Sequence, residues 1–286
     1  MAVSRRVEIT VDLKRSRQRI AQLRRYVARN LLHDDDFLCS YFRDCKRSRR
    51  PGDAFREGTM SHVGRHFDLQ LNGRPLRIVV VGQESGWARR PAFRRRVNMA
   101  QRSAAVLGGS GVDHRYYADA EHGPRNPHMR GTTSALRVIF GQGLGSDWHD
   151  EWIQPANGGP FHIFDGFALV NRLLCSASPV GSSQGRPTKT MLANCLEHFE
   201  ATLRILEPTL IVLQGSLVAK SLETALPAVK WRGDHLYTTS YDGGEALVCT
   251  FSHPSAQRDK RWGDSLTAPY LNEVVVPTLR RATRLL

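Results

Sequence analysis

The sequence has no run of about 18 apolar residues, the length that a membrane-spanning helix needs. Its first residues, MAVSRRVEITVDLKRSRQ, contain no apolar stretch like that of a secretory signal, so we expect a cytoplasmic location without a membrane partner. The five cysteines are then expected to remain thiols or to bind a metal rather than to form disulfides. Neither the Gly-Lys-Ser/Thr loop of P-loop proteins nor a G-x-G-x-x-G motif is present, which predicts no nucleotide cofactor.

Acidic residues are few: 27 Asp and Glu accompany 41 Lys and Arg, which gives a net charge of +14. Such an excess favours a polyanionic partner, most often nucleic acid. We therefore expect DNA, single- or double-stranded, as the partner of a monomeric protein. A helical pattern over 13–32 has an Arg-rich face that suits either DNA contact or simple solvation, and the sequence leaves both open.

Four short apolar runs dominate the pattern: LRIVVVG (76–82), FDGFALVN (164–171), PTLIVLQG (208–215) and ALVCTFS (246–252). Because they are nearly continuous and rich in β-branched or aromatic residues, they predict strands buried on both faces of a parallel sheet. Helical patterns over 188–206 and 216–226 separate the last three runs. This alternation predicts an α/β fold, a three-layer αβα sandwich around a four-stranded, mainly parallel sheet. We expect a basic helical region over 1–60 and an α/β domain over 61–286, packed as one compact unit.

Polar residues follow the ends of these predicted strands. Gly82, Gln83 and Glu84 follow the first strand, Asn171 ends the second, and His253 follows the fourth. Ligands of open α/β sheets bind beyond the carboxyl ends of the strands. A carboxylate, an amide and an imidazole are therefore expected to meet at one edge of the sheet.

Three motifs, VVVGQESG (79–86), FALVN (167–171) and SHPSA (252–256), resemble the signature motifs of the uracil-DNA glycosylase superfamily. The resemblance covers about residues 76 to 262 and is closest to the iron–sulfur branch. It implies a monofunctional DNA glycosylase, which flips out uracil or a modified, 5-substituted pyrimidine and hydrolyses its N-glycosidic bond to leave an abasic site.

The resemblance also implies roles for individual residues. Glu84 stands in the place of the residue that activates water, and His253 in that of the imidazole that stabilises the leaving base. Gly86 replaces a tyrosine that excludes 5-substituted pyrimidines in some members, and Ser85 replaces the usual proline of the motif. Asn171 matches the amide that reads the pyrimidine edge, and Met129 falls where the branch usually has Phe. The base-binding set is Gly82, Gln83, Gly86, Met129 and Asn171.

The basic segment after His253 lies where such glycosylases grip phosphates and insert a side chain into the vacated stack. The positive charge of its Arg and Lys side chains suits them to bind phosphates. Arg258 or Trp262 could fill the gap that the flipped base leaves in the stack. A merely solvated basic loop is the alternative. The DNA-binding set is Ser255, Arg258, Lys260, Arg261 and Trp262.

The positions of four cysteines resemble those of the ligands in the iron–sulfur glycosylases. They are Cys39, Cys45, Cys175 and Cys195. Four thiolates suit a [4Fe–4S] cluster or a structural zinc ion, and four unrelated buried cysteines are the third interpretation. Cys249 lies inside a strand pattern and is expected in the core.

An insertion over about 87–126 separates the first motif from the helical pattern that follows it. It carries the segments ARRPAFRRR (88–96) and HRYYADAEHGPRNP (114–127), and either covers a bulkier base, adds DNA contacts or is a tolerated insertion. Two alternatives to a general glycosylase remain. One is a defence glycosylase specific for bulky modified cytosine in phage DNA, and the other is a non-catalytic DNA-binding module. Retention of Glu84, Asn171 and His253 together argues against the second.

Overall fold

The computed structural model describes residues 8–34, 36–84, 96–108, 125–145, 148–182 and 185–286. In these ranges the α-helices are α1 (Leu13–Asn30), α2 (Phe42–Ser48), α3 (Met99–Leu107), α4 (Pro127–Ile139), α5 (Lys189–Asn194), α6 (Leu196–Leu206), α7 (Ser216–Ser221) and α8 (Val276–Leu285). The strands are β1 (Ile9–Val11), β2 (Leu32–His33), β3 (Asp36–Phe37), β4 (Asp53–Arg56), β5 (His62–Val63), β6 (Leu69–Leu71), β7 (Arg74–Leu76), β8 (Ile78–Gly82), β9 (Trp152–Ile153), β10 (Phe161–His162), β11 (Phe167–Asn171), β12 (Ser176–Pro179), β13 (Leu210–Gln214), β14 (Ala228–Gly233), β15 (Leu236–Tyr241) and β16 (Gly244–Phe251).

The fold is mixed α/β and is built on a seven-stranded mixed sheet of order β14-β15-β16-β13-β8-β11-β5. The four predicted runs form β8, β11, β13 and β16, and the three pairings among these strands are all parallel. A four-stranded sheet was nevertheless too small a prediction. β5 joins one edge antiparallel to β11, and the antiparallel hairpin β14–β15 extends the other edge from β16.

Both faces of the central strands are covered, which explains why their sequences are continuously apolar. In β8, Ile78 and Val80 belong to an apolar cluster that includes residues of α4 and α8. Val79 and Val81 point the opposite way, into a second cluster with residues of α1, α6 and α7. All four side chains are fully buried. Burial on two faces removes the polar alternation of a half-exposed strand.

One predicted helical pattern is divided in the structure. The pattern over 188–206 is divided at Cys195 into α5 and α6, and Thr188 caps α5 by accepting from the Met191 N–H. At the end of the chain, a π-helical turn (Leu271–Val275) runs directly into α8, and Pro277, which has no N–H to donate, lies just after this turn. None of the described helices is both long enough and apolar enough to cross a membrane.

The predicted boundary near residue 60 remains a prediction. Across it, Arg19 of α1 donates hydrogen bonds to Asp68 and Glu207, at 3.0 and 2.7 Å, and β1 pairs with β6. These contacts hold the amino-terminal helix against the part of the chain that was predicted as the α/β domain.

Candidate active site at the strand ends

Parallel pairing places the end of β8 beside the end of β11. Gly82 and Asn171 are register partners, and the hydrogen bonds from Arg172 N–H to Gly82 O and from Leu173 N–H to Gln83 O continue the alignment past the strands. A Cβ atom on Gly82 would lie 3.8 Å from Oδ1 of Asn171, an ordinary van der Waals distance, so the end of β8 lies directly beside this amide. The Asn171 side chain makes no hydrogen bond to another described residue and remains available to a ligand.

The first turn of α4 packs against the loop that follows β16. A Cβ atom on Gly131 would lie 2.7 Å from the Pro254 ring, and one on Gly263 would lie 1.9 Å from the carbonyl oxygen of Pro127. Two glycines therefore allow an approach that any larger residue would prevent. As a result, the imidazoles of His128 and His253 are nearly parallel, at 15°, with ring centroids 5.4 Å apart.

The hydrogen bonds of His253 determine which of its nitrogens carries the proton. The backbone N–H of Ser255 donates to Nδ1 of His253 at 3.1 Å, and Oγ of Ser255 lies 2.7 Å from the same atom. Because a backbone N–H can only donate, Nδ1 is an acceptor, and in the neutral ring the proton is on Nε2. Burial lowers the pKa of His253, which favours this neutral ring. Nε2–H is thus a donor without charge.

His128 is a functional candidate that the sequence interpretation did not include. Burial, chiefly, lowers the pKa of His128 to about 3, aided by the charge of Arg102 and by that of His253 whenever it is protonated, so the ring of His128 is neutral. Its Nδ1 is buried without a hydrogen-bond partner, and its Cε1 would be 3.7 Å from a Cβ atom on Gly82. The Asn-Pro pair before it is a helix-start signal, since Asn126 caps α4, and it could have placed His128 in the first turn.

The Glu84 carboxyl group is enclosed. Burial raises its pKa to about 8, and Oε2 has no hydrogen-bond partner among the described residues. The carboxyl lies directly against Gly185, where a Cβ atom would come 1.1 Å from Oε1 of Glu84. Only a glycine at 185 is compatible with this position of the carboxyl. Gly185 is therefore a positioning residue for Glu84.

Replacing Gly185 with alanine is expected to lower kcat by about 10²-fold, because the carboxyl must move and a displacement of about 1 Å has that effect on a catalytic group. DNA affinity should stay unchanged, as measured by fluorescence anisotropy. Gly159→Ala is the matched control, since a Cβ atom there meets nothing within 4 Å. Equal activity in both variants would show that the position of the Glu84 carboxyl is unimportant.

Two residues of the predicted site are buried away from it. Met129 is 0% exposed and lies in the apolar cluster of α4 and α8. Its assignment to the base-binding set remains a prediction. Trp262 is 1% exposed, and its Nε1–H donates to the Ser252 carbonyl at 2.8 Å. A side chain that is held in this way does not project from the loop, and the assignment of Trp262 to DNA binding remains a prediction. It supports the His253 loop from beneath.

The rest of the predicted DNA-binding loop is exposed. Arg258 and Lys260 have no carboxylate partner among the described residues, and Arg258 adopts a left-handed φ of 56°. Arg261 instead pairs with Asp264, which also accepts from Arg130 at 3.0 Å. Among the described residues, Arg258 and Lys260 thus lack a carboxylate partner, whereas Asp264 balances the charge of Arg261.

This division predicts unequal effects on DNA binding. If DNA is the partner, Arg258→Ala and Lys260→Ala should each reduce the magnitude of the log–log salt slope by about 1, because each would remove one phosphate contact. Arg261→Ala, the matched control, should change the slope less. The measurement is DNA affinity at several salt concentrations. Unchanged slopes in the first two variants would mean that the loop does not grip the backbone.

The predicted metal ligands lie near one another. Cys45, Cys175 and Cys195 share a small apolar cluster, while Cys39 packs against the neighbouring cluster that contains α1 and α6. The thiols are close enough to influence one another's ionisation, and burial raises the pKa of all four, that of Cys195 to about 11. Among the described residues, no three His, Cys, Asp or Glu side chains are grouped to hold a metal ion. Cys249 is fully buried in the core.

Gly86 and Ser85 lie outside the described residues, as does most of the insertion over 87–126. The expectations about pocket width and about a cover over the base therefore remain predictions.

No protein-family model matches the chain. A comparison with the curated proteins finds no significant match either. The function is therefore inferred from the motifs and from the geometry of the strand ends.

Proposed function

We propose that this protein is a monofunctional DNA glycosylase that hydrolyses the N-glycosidic bond of uracil or of a 5-substituted pyrimidine. One observation carries the proposal: polar groups at the strand ends and in the first turn of α4 have no hydrogen-bond partner among the described residues. Oε2 of Glu84 and Nδ1 of His128 are buried in this state, and the Asn171 amide makes no hydrogen bond to a described residue. Buried polar groups in proteins are almost always paired. Unpaired groups at one edge of a sheet are the mark of a ligand site.

The geometry suits departure of a base as an anion. His253 presents a neutral Nε2–H donor whose orientation is fixed by Ser255 at the opposite nitrogen. Aimed at O2 of a pyrimidine, such a preorganised donor stabilises the negative charge that develops as the bond to the sugar breaks, by about 3 kcal/mol. The Asn171 amide offers one donor and one acceptor, which fit O4 and N3–H of uracil or, when flipped, N4–H₂ and N3 of cytosine.

Glu84 supplies the other half of the reaction. As a carboxylate it accepts a proton from water and directs the oxygen toward C1′, where positive charge develops. Burial raises the pKa of Glu84, and no cation of the described residues acts to lower it. The cationic sugar of the transition state would provide that charge. The carboxylate form of Glu84 is therefore stabilised most strongly in the transition state, where it acts as the base.

The finer description of the fold belongs to the same proposal. Two apolar clusters on opposite faces of the sheet, each with its own helices, support a three-layer sandwich with parallel central strands. The net charge of +14 and the unpaired Arg258 and Lys260 support DNA as the partner.

The experiment uses duplex and single-stranded oligonucleotides with a single uracil, cytosine, 5-hydroxymethylcytosine or glucosylated cytosine. Alkali after incubation should cleave at the modified position for at least one base, with no strand break before alkali. The double variant Glu84→Gln/His253→Ala is the control for contaminating glycosylases. Cleavage at glucosylated cytosine alone would identify the defence enzyme. DNA binding without cleavage of any substrate would overturn the proposal in favour of a binding module.

We further propose that Cys39, Cys45, Cys175 and Cys195 hold a [4Fe–4S] cluster, with zinc as the alternative. Four sulfurs around one zinc ion lie about 3.8 Å apart, given tetrahedral Zn–S bonds of about 2.3 Å. In a four-iron cluster each thiolate binds a different iron atom, so the sulfurs lie farther apart. The thiols are near enough to affect one another's ionisation, which supports one shared centre and leaves both metals open. The cluster would tie the chain after β11 to α2 and to the junction of α5 and α6.

A further inference from the structure

Arg172 directly follows Asn171 and is buried, with 2% exposure. Its Nη2 donates to the carbonyl oxygen of Leu192 at 2.7 Å. Its Nε and Nη1 are buried and have no hydrogen-bond partner among the described residues. Burying a guanidinium with two donor atoms that have no acceptor costs free energy, because both the charge and the N–H groups lose their hydration.

The described residues around Arg172 do not contain the missing partner. No carboxylate of the described residues forms an ion pair with it, and the Phe199 ring lies 6.0 Å from its Cζ. The acidic groups whose charge acts on it are Cys195 and, more weakly, Glu200. The guanidinium of Arg172, with its unpaired donors, therefore lies near Cys195, one of the four cysteines.

A metal–sulfur centre would supply what Arg172 lacks. Metal-bound cysteines are thiolates, and four of them carry more negative charge than either Zn²⁺ or the [4Fe–4S]²⁺ core neutralises. Thiolate and sulfide sulfurs also accept hydrogen bonds from N–H groups. An anionic centre at the cysteines would thus balance the charge of Arg172 and accept hydrogen bonds from its two unpaired donor atoms.

We propose that Arg172 is the charge-balancing hydrogen-bond donor of this metal centre and a positioning residue for it. The inference rests on the metal centre proposed above and is independent of the glycosylase activity. Because Arg172 is adjacent to Asn171, it also connects the centre with the amide that would read the base. Loss of the centre would leave a buried, unbalanced cation one residue from the active site.

The test compares metal retention in wild type and in Arg172→Met, which keeps an apolar stem but removes the guanidinium with its charge and donors. After anaerobic purification, wild type should contain iron and sulfide near four per chain, or one zinc. Arg172→Met should release the metal to a chelator about 10- to 100-fold faster, the usual effect of losing a partner of the ligands. For an iron–sulfur centre, its reduction potential should also become more negative, since a cation and hydrogen bonds to sulfur favour the reduced cluster.

Two further variants separate this role from general stability. Arg172→Lys, which keeps the charge but loses the planar fork, should give an intermediate release rate and decides the question if Arg172→Met fails to fold. Arg19→Met removes a buried arginine that has carboxylate partners elsewhere, and it should lower the unfolding temperature without changing metal release. Metal-free wild type, or release and potential unchanged in the Arg172 variants, would overturn the proposal.

Discussion

His253→Ala is expected to lower kcat by about 10²- to 10³-fold and to leave DNA affinity nearly unchanged. Removing a single preorganised donor to a developing anion has an effect of this size. The hydrogen bond from Nε2 strengthens only as the base departs, so it contributes to the transition state and little to the bound ground state. Single-turnover excision kinetics and fluorescence anisotropy measure the two quantities separately.

Ser255→Ala is the matched control for this variant. It removes the Oγ contact with Nδ1 but keeps the backbone N–H that fixes the proton of His253 on Nε2. Its loss of kcat should be much smaller than that of His253→Ala. If His253→Ala weakened DNA binding as much as it slowed excision, His253 would be a binding or structural residue instead.

Glu84→Gln is expected to lower kcat by about 10²- to 10⁴-fold, the range of a lost general base. The wild-type rate should rise with pH and level off above about 8, because burial raises the pKa of Glu84 to about 8 and only the carboxylate accepts a proton. The rate of Glu84→Gln should not show this rise. Glu84→Asp, which shortens the side chain but keeps the carboxyl, should retain the pH dependence at a reduced rate.

Folding stability provides a second measurement on Glu84. Its pKa is higher in the folded chain than the ordinary value of 4.5, so the folded state binds more protons between pH 4.5 and 8. The free energy of unfolding should therefore fall as the pH rises through this window. In Glu84→Gln that slope should be smaller. A wild-type rate that is independent of pH between 6 and 9, together with an unchanged stability slope, would contradict a buried, titrating Glu84.

Glycine at three positions decides the shape of the site, and each acts through a contact between distant segments. Gly185 leaves space for the Glu84 carboxyl, and Gly131 and Gly263 let the first turn of α4 meet the His253 loop. None of them belongs to a recognised motif of the sequence. Their importance follows from what lies opposite them, which is a property of packing.

The sequence by itself determined the central strands and the residues that follow them. Continuous apolar runs specify burial on both faces, and parallel pairing then brings Gly82 beside Asn171. The outer strands were missed because they lack that pattern: β5 has two residues, and β14 is largely exposed. Edge strands bury fewer side chains than central strands do. Their backbone pairing therefore leaves little apolar pattern in the sequence.

Only the tertiary structure decided which side chains reach the site. Trp262 and Met129 are near His253 or His128 in sequence, yet they point into the core, while His128 lies against His253 across 125 residues of chain. Arg172 gives the same lesson, since its unpaired donors are visible only when every neighbour is in place. Local patterns specify the elements because periodicity and burial are properties of short segments. The direction of one side chain depends on contacts between segments, so packing alone determines it.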